Sequence, residues 1–168
     1  LLGAFIAGCD GSNNVSVEDH LKKAQELLDK ADFRGSVIEL KNVLQKEPGN
    51  ATARLILSQV YAEVGDGASA EKEILQAQKL GLKGLDATKA LGHAYILTNK
   101  FKQVLEEFKV EDNDPASRKA SIYLLHGDAY YGMGKNVDAV SAYDNAIKAY
   151  RKDINEDRPH LKLTEPAE

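Results

Sequence analysis

Small and apolar residues recur along this chain at a long, fixed period. Small residues stand at Ala24, Ser58, Gly92 and Gly127, spaced thirty-four, thirty-four and thirty-five residues apart. Three positions after each come Leu27, Tyr61, Tyr95 and Tyr130. A third column reads Ser36, Ala70, Val104 and Ala139, and a fourth reads Leu40, Ile74, Phe108 and Tyr143. Between the second and third columns the pattern breaks, at Ala31-Asp32-Phe33, Gly65-Asp66-Gly67, Asn99-Lys100-Phe101 and Gly134-Lys135-Asn136. Four columns held in register through four copies mark a repeat array.

Within each half of a copy the apolar spacing is helical. Leu21, Ala24, Leu27 and Leu28 share one helix face, and Val37, Leu40, Val43 and Leu44 share another. Gly or Asn at the break ends the first helix with left-handed geometry. Pro48-Gly49-Asn50 stops the second helix and turns the chain. A small residue in the first column lets two antiparallel helices pack closely. One hairpin of this size cannot bury its own apolar face, so the copies stack and share a core. The predicted fold is all-α, a stack of about four antiparallel helix pairs.

Composition narrows the function. The chain has 168 residues, of which 43% are hydrophobic and 29% charged, so it can build a core. Its net charge of −4 argues against nucleic acid as a partner, because phosphate binding needs a basic face. One cysteine excludes an internal disulfide framework. No apolar run is long enough for a complete transmembrane helix.

The first nine residues, Leu1-Leu2-Gly3-Ala4-Phe5-Ile6-Ala7-Gly8-Cys9, are uncharged, and the chemistry changes at Asp10. Residues 1–8 read as the back half of a signal peptide. Ile6-Ala7-Gly8-Cys9 resembles the bacterial lipobox: an aliphatic residue, two small residues, then the cysteine that is lipidated. The resemblance implies a covalent lipid on Cys9 and no other cofactor. Two acyl chains supply on the order of 20 kcal/mol of gross membrane affinity, enough to anchor without a spanning helix. Residues 9–16 then form a polar tether, and residues 154–168 a polar tail. The expected location is the periplasmic side of a bacterial envelope. Asp10 directly after the lipidated position resembles an inner-membrane retention signal.

The four columns resemble the tetratricopeptide repeat family. With Pro48 as the closing proline, the repeats run 17–50, 51–84, 85–119 and 120–153. The resemblance implies a right-handed superhelix whose first helices line a concave ligand surface. Lys23 and His126 stand where the family usually has Leu, and Leu82 replaces a closing proline. The third repeat has a short second helix, interrupted at Glu111-Asp112-Asn113-Asp114-Pro115. Three runs, Glu39 to Arg54, Gly65 to Ile74 and Phe101 to Phe108, together with the lipobox, also resemble something narrower. That is the N-terminal part of the repeat lipoprotein of PEP-CTERM/exosortase systems, a family associated with exopolysaccharide production and sorting of exported proteins.

No catalytic constellation emerges. His20, His93, His126 and His160 form no HExxH pair, and His126 and Asp128 point to different helix faces, so no metal site is expected. Gly132-Met133-Gly134-Lys135 lacks both the earlier glycine and the following Ser or Thr of a phosphate loop. The chain reads as a non-enzyme without a small-molecule substrate.

The candidate partner-binding residues lie along the first helices. One helical position gives Gln25, Gln59, His93 and Asp128; neighbouring positions give Leu55, Lys89, Ile96 and Tyr131. The mixture of polar and apolar groups suits a peptide or a partner helix. The family's carboxylate-clamp pattern is absent, with Leu21, Gln25 and Ile56 in its place, so chaperone tails are not the expected ligand. The expected function is a membrane-anchored scaffold for protein–protein contacts in an exosortase-linked envelope system. The alternative is a lipoprotein assembly factor for type IV pili or outer-membrane proteins.

Overall fold

The computed structural model describes residues 15–157, so Cys9, Asp10, the expected signal segment and most of the C-terminal tail lie outside the described residues. The described chain contains eight α-helices and no strand. They are α1 (Val17–Asp29), α2 (Phe33–Lys46), α3 (Ala51–Glu63), α4 (Gly67–Lys79), α5 (Leu85–Leu97), α6 (Phe101–Glu107), α7 (Ala116–Gly132) and α8 (Asn136–Asp157). They pack as adjacent pairs, the all-helical hairpin stack that the periodicity implies. Each second helix also packs on the next first helix. The backbones of first helices come within 8 Å of their successors, α1 of α3, α3 of α5 and α5 of α7, whereas those of second helices do not approach one another so closely.

The helix ends follow local chemistry. Ser16 caps α1 in a reciprocal box, its Oγ accepting from the Asp19 amide at 3.0 Å. Asp32, Asn50 and Asp66 cap α2, α3 and α4 in turn, accepting from Gly35, Ala53 and Ser69 amides at 2.9, 2.8 and 3.0 Å. Every hairpin turn places one residue at positive φ: Ala31 (58°), Gly65 (77°), Asn99 (58°) and Gly134 (73°). Around each, two backbone bonds close a Schellman motif. In the first, Asp32 N–H donates to the Leu27 carbonyl at 2.8 Å and Ala31 N–H to the Leu28 carbonyl at 2.9 Å.

Two hydrophobic clusters form the core. One joins α1, α2 and α3 through Ala24, Leu40, Val43 and Leu57; the other joins α4 to α7 through Ile74, Tyr95, Val104 and Ile122. Leu40, Ile74 and Ile122 are completely buried, each contributing about 1.5–3 kcal/mol of transfer free energy. The small-residue columns sit at the helix crossings. Ser36 Oγ donates to the Ala24 carbonyl at 2.9 Å, and Ser58 Oγ donates to the Ala70 carbonyl at 2.9 Å. The hydroxyl thus comes from the second helix in one hairpin and from the first helix in the next. A Cβ on Gly127 would lie 2.3 Å from Tyr143 of its own hairpin. One on Gly92 would lie 2.3 Å from Leu125 in the following hairpin, so Gly92 serves stacking between repeats, not closure of its own hairpin.

The third repeat has the short second helix that its sequence implies. Its second helix, α6, ends at Glu107, ahead of the Glu111–Pro115 break. Phe108 turns extended and stays buried against Tyr95, with ring centroids 6.1 Å apart. Its carbonyl accepts a hydrogen bond from His126 Nε2 at 2.7 Å. His126 therefore occupies its departure from the usual Leu by satisfying a backbone group freed where the helix stops. The helix α7 begins at Ala116, inside the 85–119 segment, and α8 runs past 153 to Asp157.

Candidate functional site

The first helices form a row, and their side chains between core and solvent define its surface. Between α3 and α5 lies a hollow of about 160 Å³ lined by Gln59, Ala62, Glu63, Lys89 and His93. Between α5 and α7 lies a second, of about 280 Å³, lined by Lys89, His93, Ser121, Leu124, Asp128 and Tyr150. Lys89 and His93 line both, so the two hollows lie side by side along α3, α5 and α7. Four expected site residues, Gln59, Lys89, His93 and Asp128, are brought together there.

The other four lie elsewhere. Gln25 donates from Nε2 to Asp29 Oδ1 at 2.9 Å on its own helix and does not line the groove. Leu55 and Ile96 are half-buried and pack against the larger core cluster. Tyr131 is exposed but lines neither hollow. Ala62 and Leu124 stand at neighbouring first-helix positions of the same face, whereas Glu63, Ser121 and Tyr150 were not anticipated. Glu63 follows Gln59 by one turn, a spacing that could have revealed it. Ser121 is likewise one turn before Leu125. Tyr150 comes from a second helix, α8, and no first-helix column could have exposed it.

Glu63, Lys89 and Asp128 give the groove alternating charge, while Leu124 and Tyr150 give it apolar area. Such a surface recognises a chain offering both apolar side chains and charges of each sign. Asp128 is held in place: its Oδ1 accepts from the Tyr143 hydroxyl at 2.9 Å. Burial, with the carboxylate beside it, pushes the Tyr143 hydroxyl up to about 12, so it remains a donor at neutral pH.

Other polar groups serve the fold. His20 Nδ1 and Lys23 Nζ both lie 2.6 Å from Glu39, and Arg54 pairs with Glu73 at 2.7 Å. Gly132 ends α7 beneath the Phe101 ring, and Gly134 forms the next turn, so the Gly132–Lys135 run is a helix terminus. Among the described residues, no three His, Cys, Asp or Glu side chains converge as metal ligands, and no helix is long and apolar enough to cross a membrane.

No curated protein matches the chain. A model of the tetratricopeptide repeat-like domain matches residues 17–165, which takes in all eight helices. With the hairpin stack and the repeated columns, this match establishes that the chain belongs to the tetratricopeptide repeat-like domain family.

Proposed function

We propose that this chain is a protein-interaction scaffold of a bacterial envelope, tethered through a lipid on Cys9 and serving an exosortase-linked export or exopolysaccharide system. Its family is generally a non-enzymatic module that binds proteins. The observation that carries the binding reading is the pair of adjacent hollows, sharing Lys89 and His93, that bring Gln59, Lys89, His93 and Asp128 onto one side of α3, α5 and α7. First-helix backbones that approach one another more closely than second-helix backbones support a curved array with these hollows on its inner side. The Ile6-Ala7-Gly8-Cys9 motif supports the lipid tether, and the runs from Glu39 to Arg54 and Gly65 to Ile74 support the exosortase link.

The test is crosslinking in living cells with a tagged native gene product, followed by mass spectrometry of captured proteins. Exosortase or polysaccharide-export components are expected. Capture of pilus secretin or β-barrel assembly components would replace this reading with the assembly-factor one. Cys9→Ser is expected to release a folded protein to the soluble periplasmic fraction, and its retention in membranes would contradict the tether.

A further inference from the structure

We infer that the cleft between α2 and α3 is a second docking site, for one helix of a partner protein that brackets apolar side chains with carboxylates. The cleft holds about 450 Å³. Val37 and Ile38 of α2 and Tyr61 and Val64 of α3 give it an apolar lining. Ile38 and Val64 are more than half exposed. The charged groups that line it are both cations, Arg34 and Lys41 of α2. Both are exposed, and neither side chain forms an ion pair or hydrogen bond with another described residue. By contrast Lys23, Arg54, Lys100 and Arg118 each meet a carboxylate of their own chain. The cleft lies at an internal junction, between two described hairpins. The described chain enters at the far end of α2, where Lys46 holds the Val15 carbonyl.

The next junction shows how the chain bridges such a cleft with its own side chains. One repeat on, Glu71 stands in register with Val37, Thr98 with Val64 and Lys100 with Asp66. Lys100 Nζ donates to Glu71 Oε1 at 2.5 Å, Thr98 Oγ1 donates to Glu71 Oε2 at 3.4 Å, and Lys100 lies 5.4 Å from the Tyr95 ring centroid. At the third junction Lys135 covers the Tyr130 ring at 5.9 Å. At the first, Asp66 instead caps α4, and Tyr61 has no lysine over its ring among the described residues. The same frame is thus apolar and basic here and bridged by polar groups at the next junction. Arg34 and Lys41 are seven residues apart, two turns of α2, or about 10 Å along its axis. A helix lying alongside α2 has the same rise, so carboxylates at its positions i and i+7 meet both cations. Its side chains at i+3 and i+4 then enter the cleft between them. The concave form suits such projecting side chains, whereas a lipid surface would meet only its rim.

The test uses the full chain and a hydrocarbon-stapled, fluorescein-labelled helix with glutamates at i and i+7 and leucines at i+3 and i+4. The staple is needed because a short free helix is marginal in water. Fluorescence anisotropy is expected to show saturable binding that weakens several-fold as salt is raised, since exposed charges are screened. Arg34→Glu/Lys41→Glu is expected to weaken it at least tenfold with unchanged helicity and melting. The same double variant is expected to bind a peptide with lysines at i and i+7, which the unaltered chain refuses. No saturable binding, or equal binding to the double variant, would overturn the inference. So would binding gained only after residues 1–14 are removed, since that would assign the cleft to this chain's own N-terminal segment. A dimer in sedimentation, or adsorption to phosphatidylglycerol vesicles, that the double variant abolishes would overturn it equally, in favour of a second copy or of anionic lipid.

Discussion

The first two hairpins and the last two share one frame but are held by different physics. The first pair is secured by directional polar bonds. All four of its helices have side-chain N-caps, its crossings carry Ser36 and Ser58 hydroxyl bonds, and its buried carboxylates Glu39 and Glu73 are paired. The last pair is secured by close approach. The helices α5, α6 and α7 lack side-chain caps, and glycines at 92, 127 and 132 admit Leu125, Tyr143 and Phe101. One repeat period is thus compatible with two ways of fixing a helix crossing, and they fail to different insults.

The largest expected effect lies in the close-packed half. Gly92→Leu drives a branched side chain into the space of Leu125 and is expected to cost about 3 kcal/mol or more, read from urea denaturation. An unchanged midpoint would show that α5 and α7 are not packed through this glycine. Arg54→Ala in the polar half removes the partner of Glu73 and is expected to cost about 2 kcal/mol, less than for a fully buried pair because water still reaches Arg54. If Arg54→Ala melts like the unaltered chain, polar pairing does not secure that half.

Acid should separate the halves. Burial holds His126 below the ordinary histidine value of 6.5, so the folded state favours the neutral ring that donates to Phe108. A depressed folded pKa means that this stability is complete above about 6.5 and is lost as pH falls toward the folded value. Glu39 is also depressed, chiefly by the hydrogen bond from Lys23, but its contribution persists until pH falls below the ordinary carboxyl value of 4.5. Hydrogen exchange between pH 6.5 and 5 is therefore expected to show α6 and α7 losing protection before α1 and α2. His126→Leu should abolish that order; persistence of the order would place the acid-sensitive group elsewhere. The smallest effect is a gain: Ala31→Gly relieves a non-glycine residue at φ 58° and is expected to stabilise by about 1 kcal/mol or less, measured as a raised Tm.

The hairpin frame was legible because backbone geometry repeats wherever its chemistry does. The breaks at Ala31, Gly65, Asn99 and Gly134 each hold the positive-φ residue of a hairpin turn, and the columns fall on the helix crossings. That α6 is short was legible from the Glu111–Pro115 break, but its end at Glu107 was not, since Phe101 to Phe108 keeps helical spacing and the freed Phe108 carbonyl is met by His126, eighteen residues away. The groove was half legible. Column offsets put Gln59, Lys89, His93 and Asp128 on one face, but one helical step separates the groove wall from the core. Leu55 and Ile96 fell on the core side of that step. Tyr150 enters from a different helix, through packing that no single-helix pattern encodes.

The account's central claim is that partners bind the row of first helices. Its most direct test is a genetically encoded photocrosslinking residue placed at His93, in the groove, and separately at Lys72, exposed on α4. Illumination of living cells is expected to give discrete higher-mass adducts from position 93 and none from position 72. Adducts from position 72 with none from position 93 would contradict the claim and move the binding surface to the second helices.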